Sequence, residues 1–411
     1  MNDNYISRHL EEQVVSLSKE YAVILITGPR QVGKTRMLTE LQKKENKGRT
    51  YVSLDDFNTR ELAKTDPALF LELYKPPVII DEVQYAPELF TYIKIYVDEN
   101  YNPGDFWLTG SQVFSLMKGV KESLAGRVAI LNMTPLSRRE IIGVEPLAFK
   151  VDFDLLLNES KKMDKLSLKE VYESIWVGSM PGVISRKYTN LNIFYSSYIS
   201  TYINRDVRDI SSTVDVLKFN KFIIAIAART SQLLNYSSLA VDVDIDVKTA
   251  KSWINILETL GIIFLIYPYS NNILKRTIKT PKVYFYDTGL VSHLTGWLSA
   301  EVLEKGAMSG AIFENYVISE IIKNYYNKGI RPRIYFYRDV DGKEIDIILE
   351  RDGKLYPIEI KKSASPTKKN IKTFNVLEKS PLEIGTSAVL CMKEELSAFD
   401  AKNLIVPIWL I

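Results

Sequence analysis

The clearest chemical signal in the 411-residue sequence is a run near its start with the spacing G-x-x-x-x-G-K-T. The apolar segment 22–26 precedes this run, and a helical pattern follows it in 36–41. In a strand–loop–helix of this kind the backbone N–H groups point inward and the helix N-terminus adds positive potential, so the loop binds phosphate. We expect Lys34 to reach the β- and γ-phosphates of a nucleotide and Thr35 to hold Mg²⁺ through its hydroxyl. The alternative is a glycine-rich turn before an ordinary helix.

The expected nucleotide-binding residues form one continuous segment. They are Gly28, Pro29, Arg30, Gln31, Val32, Gly33, Lys34, Thr35 and Arg36.

An acidic pair supplies the chemistry that such a loop needs. The apolar segment 76–80 ends in Asp81 and Glu82. Behind a phosphate loop in the same parallel sheet, Asp81 would orient Mg²⁺ and Glu82 would polarise the water that attacks the γ-phosphate. Taken alone, the segment could be any buried strand that meets a helix cap. No Asn-Lys-x-Asp element for guanine is found in the sequence, so ATP is the expected nucleotide.

A second group of charged residues lies in the C-terminal third. Glu314 falls on a predicted helix, 310–327, and three strand candidates follow at 334–337, 344–349 and 355–361, with Asp-Gly turn signals at 341–342 and 352–353. Alternation places Ile345, Ile347 and Leu349 on one face of the second strand and Asp346 on the other. If the second and third strands are neighbours, Asp346, Glu359 and Lys361 converge with Glu314.

This convergence is the PD-(D/E)XK nuclease arrangement, in which carboxylates hold a divalent ion and the lysine orients the attacking hydroxide. The expected metal ligands are Glu314, Asp346 and Glu359, and Asp346, Glu359 and Lys361 are the expected catalytic residues. Val340 stands where the superfamily name would place a proline.

The middle of the chain must connect these two groups. Apolar and aromatic residues recur at helical spacing between 171 and 216, which is typical of core packing rather than of a base-stacking platform and suggests a lid over the nucleotide. The pattern predicts a helix-turn-helix in segments 236–240 and 247–257, and the strand predicted at 260–266 favours the winged variant of this motif. Such a unit contacts DNA or only holds domains together. The basic strip 275–282 suits phosphates or a solvated loop.

The sequence resembles a family of prokaryotic AAA-superfamily ATPases that carry a C-terminal domain of unknown function, itself similar to PD-(D/E)XK nucleases. The resemblance covers nearly the whole chain. Its motifs here are Ser7-Arg8-His9-Leu10, the loop 28–35, Ile80 to Pro87, Leu108 to Gln112, Leu124-Ala125-Gly126-Arg127, Tyr284 to Leu290 and Gly310 to Asn315.

The resemblance implies a polar side chain that senses the γ-phosphate after the strand 106–108. Ser111 and Thr109 are the candidates and Gln112 is less favoured, against the alternative of a plain polar loop. Arg127 could act on the γ-phosphate in cis or from a neighbouring subunit, because its guanidinium spreads charge over several oxygens, but a surface arginine fits equally well.

Bulk properties set the class of protein. The hydrophobic content of 46% and the formal charge of +3 are those of a soluble globular protein and give no case for nucleic acid by composition. One cysteine and two histidines leave little material for disulfides or a zinc site. The polar start indicates no signal peptide, and the apolar runs are too short to cross a bilayer, so we expect a cytoplasmic protein without membrane partners.

These observations predict an α/β protein with a P-loop AAA-type parallel sheet core, a helical and winged-helix middle and an α/β nuclease-like C-terminal domain. The expected boundaries are 1–150 for the ATPase domain, 151–215 for the lid or linker, 216–270 for the winged helix and 271–411 for the nuclease-like domain.

The expected function is Mg²⁺-dependent ATP hydrolysis coupled to an action on DNA. One alternative is a nucleotide switch whose C-terminal domain only binds a protein or DNA partner, with self-association also open. The other is an ATP-binding scaffold with poor hydrolysis.

Overall fold

The computed structural model describes residues 5–45, 48–111, 123–203, 207–208, 214–270, 280–339 and 341–411. The predictions for Gln112, Val340 and most of the basic strip 275–282 fall outside these ranges.

The N-terminal unit is built on a parallel sheet in the order β2-β3-β4-β1-β5. Its three central strands are buried, as expected for a sheet covered on both faces, and its two edge strands are partly exposed. Helices cover the two faces, where separate hydrophobic clusters form. The strands are β1 (Val23–Thr27), β2 (Thr50–Ser53), β3 (Val78–Asp81), β4 (Phe106–Gly110) and β5 (Val128–Asn132). The helices are α1 (Leu10–Leu17), α2 (Lys34–Glu45), α3 (Phe57–Thr65), α4 (Pro67–Leu73), α5 (Leu89–Glu99) and α6 (Arg138–Ile141).

Parallel pairing brings the predicted nucleotide residues to one edge. Strands β1, β3 and β4 pair in register, so the loop 28–33, the Asp81–Glu82 pair and the Gly110–Ser111 end all leave the sheet on the same side. The predicted parallel core is therefore confirmed.

The middle of the chain is helical and contains a two-stranded antiparallel sheet. Its helices are α7 (Phe153–Glu159), α8 (Leu168–Val177), α9 (Pro181–Ile184), α10 (Leu191–Tyr198), α11 (Val216–Ala227), α12 (Tyr236–Val243) and α13 (Val247–Thr259). The sheet joins β6 (Ile263–Ile266) to β7 (Lys282–Phe285), and α14 (Thr288–Leu294) and α15 (Ala300–Lys305) follow.

Helices α12 and α13 occupy the predicted helix-turn-helix, and Asp246 caps α13 through the Thr249 N–H at 2.8 Å. Lys248 and Lys251 are exposed, as expected. A domain boundary between residues 270 and 271 would separate β6 from its partner strand β7, so the pairing argues against that position. The other domain limits stay predictions.

The C-terminal unit is a mixed sheet in the order β13-β14-β12-β10-β9-β8, with the short β11 beside β10. Asp352 (φ +50°) and Gly353 (φ +75°) form the predicted two-residue turn between β9 and β10. The elements are α16 (Ser309–Asn327), β8 (Ile334–Arg338), β9 (Glu344–Arg351), β10 (Lys354–Lys361), β11 (Glu383–Ile384), β12 (Ser387–Cys391), β13 (Ser397–Asp400) and β14 (Asn403–Pro407).

The strict alternation predicted for β9 is wrong at its start. Ile347 and Leu349 pack with Ile358 on one side, whereas Ile345 packs with Ile348 in a different cluster. The reason is a register shift between β8 and β9, at the stretch that contains Asp346. Bulges of this kind re-aim side chains and are frequent beside functional sites.

Helix α16 contacts all three parts of the chain. At about 1.5 Å per residue it is about 28 Å long. The Arg138 N–H donates to Glu320 at 2.7 Å, Lys323 donates to Ser179 at 2.9 Å, and Asn327 donates to Ser137 at 3.0 Å. This helix thus links the ATPase unit and the middle to the C-terminal sheet.

Asn315 on α16 clamps β7 through its side-chain amide. It accepts from the Phe285 N–H at 2.8 Å and donates to the Phe285 carbonyl at 2.9 Å, and it is fully buried.

We predict that Asn315→Ala lowers the free energy of unfolding by about 2–4 kcal/mol, because two buried backbone groups lose their partners. Urea denaturation checks this value. Asn158→Ala, at an exposed position, should change the midpoint little. Equal midpoints for the two variants would contradict the clamp.

Candidate functional site

The loop between β1 and α2 has the backbone geometry of a phosphate cradle. Gly28 has φ +140° and Gly33 has φ +93°. A Cβ at Gly28 would lie 2.0 Å from the Met133 carbonyl oxygen, so only glycine fits there. The Lys34 ammonium donates to the Gly28 and Pro29 carbonyls, both at 2.9 Å. The loop therefore wraps around its own lysine.

Arg8 fixes this loop from α1's N-terminal side. Its guanidinium donates to the Val32 carbonyl at 2.6 Å, to the Thr134 carbonyl at 2.8 Å and to Glu140 at 2.8 Å. Arg8 is buried, so these contacts are shielded from solvent. The Ser-Arg-His-Leu motif thus has a structural role at the loop.

Asp81 is joined to the loop by hydroxyl groups. Thr35 donates to its Oδ1 at 2.8 Å, Thr109 donates to the same oxygen, and Tyr51 donates to Oδ2 at 3.1 Å. Burial and the neighbouring Glu82 charge raise the pKa of Asp81. A carboxylate and a hydroxyl in contact beside a phosphate loop are an oxygen donor set that suits Mg²⁺, so these residues fit that ion.

Glu82 is held in an unusual backbone conformation. Its φ of +56° is in the left-handed region, and its N–H donates to Thr109 at 3.1 Å. Its carboxylate accepts from Ser111 at 3.1 Å and from Gln84. Burial raises the pKa of Glu82, but the charges of Lys34 and Arg30 and these hydrogen bonds outweigh it, and the pKa lies below its usual value. Glu82 is therefore an anion at neutral pH and can orient a water molecule.

Both sensor candidates in the described ranges contact the acidic pair. Thr109 bonds to Asp81 and to the Glu82 backbone, whereas Ser111 bonds to the Glu82 side chain. Gln84 donates to both Glu82 and Ser111, at 3.3 Å in the latter case. Sequence analysis included Gln84 in the motif Ile80 to Pro87 but assigned it no role.

Arg127 lies away from this group, and a role in cis is wrong for this conformation. It directly precedes β5, and its carbonyl accepts from the Val23 N–H at the start of β1. Because β1 and β5 are parallel, this is the edge opposite to the loop. Its guanidinium pairs with Asp98 at 2.5 Å. A role across subunits stays a prediction.

A cavity of about 600 Å³ lies over the loop and is closed partly by the middle of the chain. The ATPase side contributes Arg30, Gln31, Gly33, Lys34, Thr35, Arg36 and Glu82, among others. The middle contributes Pro181, Gly182, Ser185, Lys187, Tyr188 and Tyr202. The Arg30 guanidinium lies 6.0 Å from the Tyr202 ring. Tyr195 and Tyr198 are buried, as expected for core packing.

Four carboxylates meet in the C-terminal unit. Glu314 comes from α16, Glu344 and Asp346 from β9, and Glu359 from β10. The Ile360 N–H donates to Asp346 at 2.8 Å, and the Lys361 ammonium lies 2.6 Å from Glu359 and 3.9 Å from Asp346. Strands β9 and β10 are antiparallel neighbours, as the sequence argument required.

Lys282 of β7 also enters this acidic cluster, which we define as Glu314, Glu344, Asp346 and Glu359. Its ammonium lies 3.1 Å from Glu314 and 2.5 Å from Glu344. Tyr284 donates to Glu314 at 2.7 Å. Sequence analysis placed Lys282 at the end of a basic strip that suits phosphates or a solvated loop, and its side chain is buried among carboxylates instead.

The electrostatics of the acidic cluster are those of a cation site. Burial and the Asp346 charge raise the pKa of Glu314 to about 7 and that of Glu359 to about 7. Burial also raises the pKa of Asp346. Among the described residues the Glu359 Oε2 atom is buried without a hydrogen-bond partner. These observations fit a divalent ion, although no group of three or more His, Cys, Asp or Glu residues in the described ranges is arranged as a ready metal site.

Three family models match successive parts of the chain. An AAA domain matches residues 20–142, a domain of unknown function (DUF8612) matches 168–301, and another (DUF4143) matches 309–411. Residues 20–142 form an AAA-type P-loop domain. The match of residues 309–411 to DUF4143 indicates no chemistry for the C-terminal unit.

Relatives of known sequence cover most of the chain. The uncharacterized protein Rv2008c of Mycobacterium tuberculosis is 28% identical over 346 residues, which are 84% of this chain and 71% of that protein. The uncharacterized protein MJ1637 of Methanocaldococcus jannaschii is 24% identical over 72% of this chain and 66% of its own length.

Solved structures align with low scores. The Walker-type ATPase PABY2304 of Pyrococcus abyssi aligns with a TM-score of 0.44 and 14% identity over 71% of this chain and 97% of that one. The RuvB Holliday junction branch migration motor of Thermotoga maritima aligns with a TM-score of 0.33 and 14% identity over 64% and 91%. Within the described ranges no helix has the length and apolar character needed to cross a membrane.

We predict a pH dependence of stability that arises from Glu359. Its folded pKa of about 7 is above its usual value of 4.5, so the folded protein binds the proton more tightly than the unfolded chain does. This contribution is fully present below about pH 4.5 and is lost as the pH rises through about 7. Urea denaturation in EDTA should show that the wild type loses on the order of 2 kcal/mol more than Glu359→Gln between about pH 5 and pH 8.

Glu383→Gln removes an exposed carboxylate on β11, the neighbour of β10. The pH profile of its stability should follow that of the wild type. Parallel pH profiles for the wild type and Glu359→Gln would contradict the prediction.

Proposed function

We propose that the chain binds ATP with Mg²⁺ at the AAA-type P-loop and hydrolyses it. The observation that carries this proposal is the Thr35–Asp81 hydrogen bond of 2.8 Å beside the anionic Glu82. In this proposal the backbone of residues 28–36 surrounds the phosphates, including Pro29, Arg30, Gln31, Val32 and Arg36, and Lys34 leaves the Gly28 and Pro29 carbonyls for the phosphate oxygens.

Thr35 and Asp81 would hold the metal ion, whose chemistry is to neutralise charge that develops on the phosphate oxygens. Glu82 would orient the attacking water. Ser111, which already bonds to Glu82, would contact the γ-phosphate and so couple its presence to the position of the Glu82 carboxylate. Arg30 on the ATPase side and Lys187 on the side of the middle are two of the cations that line the cavity in cis. Arg127 would act only from a neighbouring subunit.

We further propose that nucleotide binding is coupled to the C-terminal unit through the β6–β7 sheet. Gly261, two residues before β6, packs on the P-loop so closely that a Cβ there would lie 2.9 Å from the Pro29 ring. At the other end of the sheet, Ile266 pairs with Lys282, whose side chain reaches the acidic cluster. Movement of the loop would therefore be transmitted along two short strands.

For the C-terminal unit we propose a metal-dependent, nuclease-like site acting on DNA. Its support is the convergence of Asp346, Glu359 and Lys361, with Glu314 at the same cluster. Asp346 and Glu359 would hold the ion with Glu314, and Lys361 would orient the nucleophile. The single cysteine, Cys391, is buried and reduced, which suits the cytoplasmic location that we infer.

The second candidate is a nucleotide switch whose C-terminal unit only binds a protein or DNA partner. The observation that favours it is the pair of ammonium groups, Lys282 and Lys361, that already balance the acidic cluster.

The hydrolysis proposal predicts that Glu82→Gln lowers ATP turnover about 100-fold or more, with ATP affinity unchanged, because it removes the group that polarises water. A coupled phosphate-release assay measures turnover. Glu88→Gln, at an exposed position nearby, serves as the control. Turnover in Glu82→Gln equal to that of the wild type would leave only the scaffold function.

The nuclease proposal predicts nicking of DNA that requires Mg²⁺ or Mn²⁺ and is lost in Glu359→Ala and in Lys361→Ala. Lys354→Ala and Glu383→Ala break an exposed ion pair of 2.9 Å at the opposite end of β10 and should retain nicking. Failure of the wild type to cleave any form of DNA would remove this proposal and leave the switch.

A further inference from the structure

Lys282 reaches into the acidic cluster, although no sequence motif accounts for it. Its side chain is 97% buried, with only 3% exposed, and it comes from the middle of the chain rather than from the C-terminal unit. Lysine is almost never buried to this extent unless it is paired. The pairing here is with the same carboxylates that the proposed metal site would use.

The Lys282 ammonium group lies among the carboxylates of the acidic cluster, where a bound metal ion would also lie. It lies 3.1 Å from Glu314 Oε1 and 2.5 Å from Glu344 Oε1, and the charges of Glu314, Asp346 and Glu344 all act on it. A divalent ion held by Glu314 and Asp346 would come within a few ångströms of this ammonium, and two cations at that distance repel strongly in a buried site.

Other cations near the cluster are placed differently. Lys361 is 36% exposed and bonds to Glu359, and Arg338 is 46% exposed and reaches only Glu344, at 3.3 Å. Both can turn toward solvent as a metal ion enters. Lys282 has no such freedom, because β7 is paired to β6 and clamped by Asn315 on α16.

We propose that Lys282 is a resident counter-cation that occupies the acidic cluster and keeps divalent metal ions out while β7 is docked. The inference rests on the proposed metal site at Glu314, Asp346 and Glu359. Lys282 is thus a positioning residue that sets the metal affinity of the cluster, and it is not itself a catalytic group.

The test is Mn²⁺ binding to the 411-residue chain without nucleotide. Calorimetry and the electron paramagnetic resonance of bound Mn²⁺ measure the affinity. Lys282→Met should bind Mn²⁺ about ten-fold or more tighter than the wild type, because the competing charge is gone. This gain in Mn²⁺ affinity should vanish when Glu359→Ala is combined with Lys282→Met. Lys282→Arg retains the cation and should bind as weakly as the wild type.

Two further variants complete the design. Lys354→Met removes the same charge at an exposed position of β10 and should leave Mn²⁺ affinity unchanged. Lys282→Met combined with Glu344→Gln keeps the net charge constant and removes both partners of one ion pair, so it tests the inference if the single variant folds poorly. It should also bind Mn²⁺ more tightly than the wild type.

Two results would overturn the inference, and they differ in what else they remove. Mn²⁺ binding that depends on Glu359 but is equally tight in the wild type, Lys282→Met and the double variant would refute the role of Lys282 and keep the metal site. Absence of any Glu359-dependent Mn²⁺ binding in all of these proteins would refute the metal site as well.

Discussion

The hydrogen bond from Thr35 to Asp81 is the contact on which the nucleotide site depends. It joins the phosphate loop, which follows β1, to the end of β3, and the in-register pairing of both strands with β4 fixes their separation. Glu82 follows Asp81 directly, and its left-handed backbone turns its carboxylate toward Ser111 and Gln84. A change at this contact would therefore alter the metal position and the water-orienting group together.

The rest of the chain is arranged to connect this edge to the C-terminal sheet. Gly261 and the β6–β7 sheet run from Pro29 to the acidic cluster, and α16 runs beside them with buried polar contacts at both ends. Because such contacts leave unsatisfied groups when they are broken, the units are held in one defined arrangement. The structure thus provides physical continuity between the two sites, on which any coupling must depend.

Local patterns predicted local structure well. The phosphate loop, the Asp81–Glu82 pair and the Asp352–Gly353 turn are encoded by adjacent residues, and the parallel sheet follows from the alternation of strands and helices. The positions of Lys282 and Lys187 could not be found in this way, because they depend on segments distant in sequence, and that of Gln84 depends partly on its contact with Ser111. The sequence also left the cis role of Arg127 open, because the spacing of its motif does not reveal that Arg127 precedes β5, at the far edge of the sheet.

The most direct test of the account is the ATP affinity of Lys34→Ala, measured by calorimetry with Mg²⁺. The account predicts a loss of about 100-fold or more, because the only ammonium group enclosed by the loop 28–35 is removed. Lys43→Ala, on the exposed face of the same helix, should bind as the wild type does. ATP affinity in Lys34→Ala equal to that of the wild type would contradict the claim that this loop grips a triphosphate.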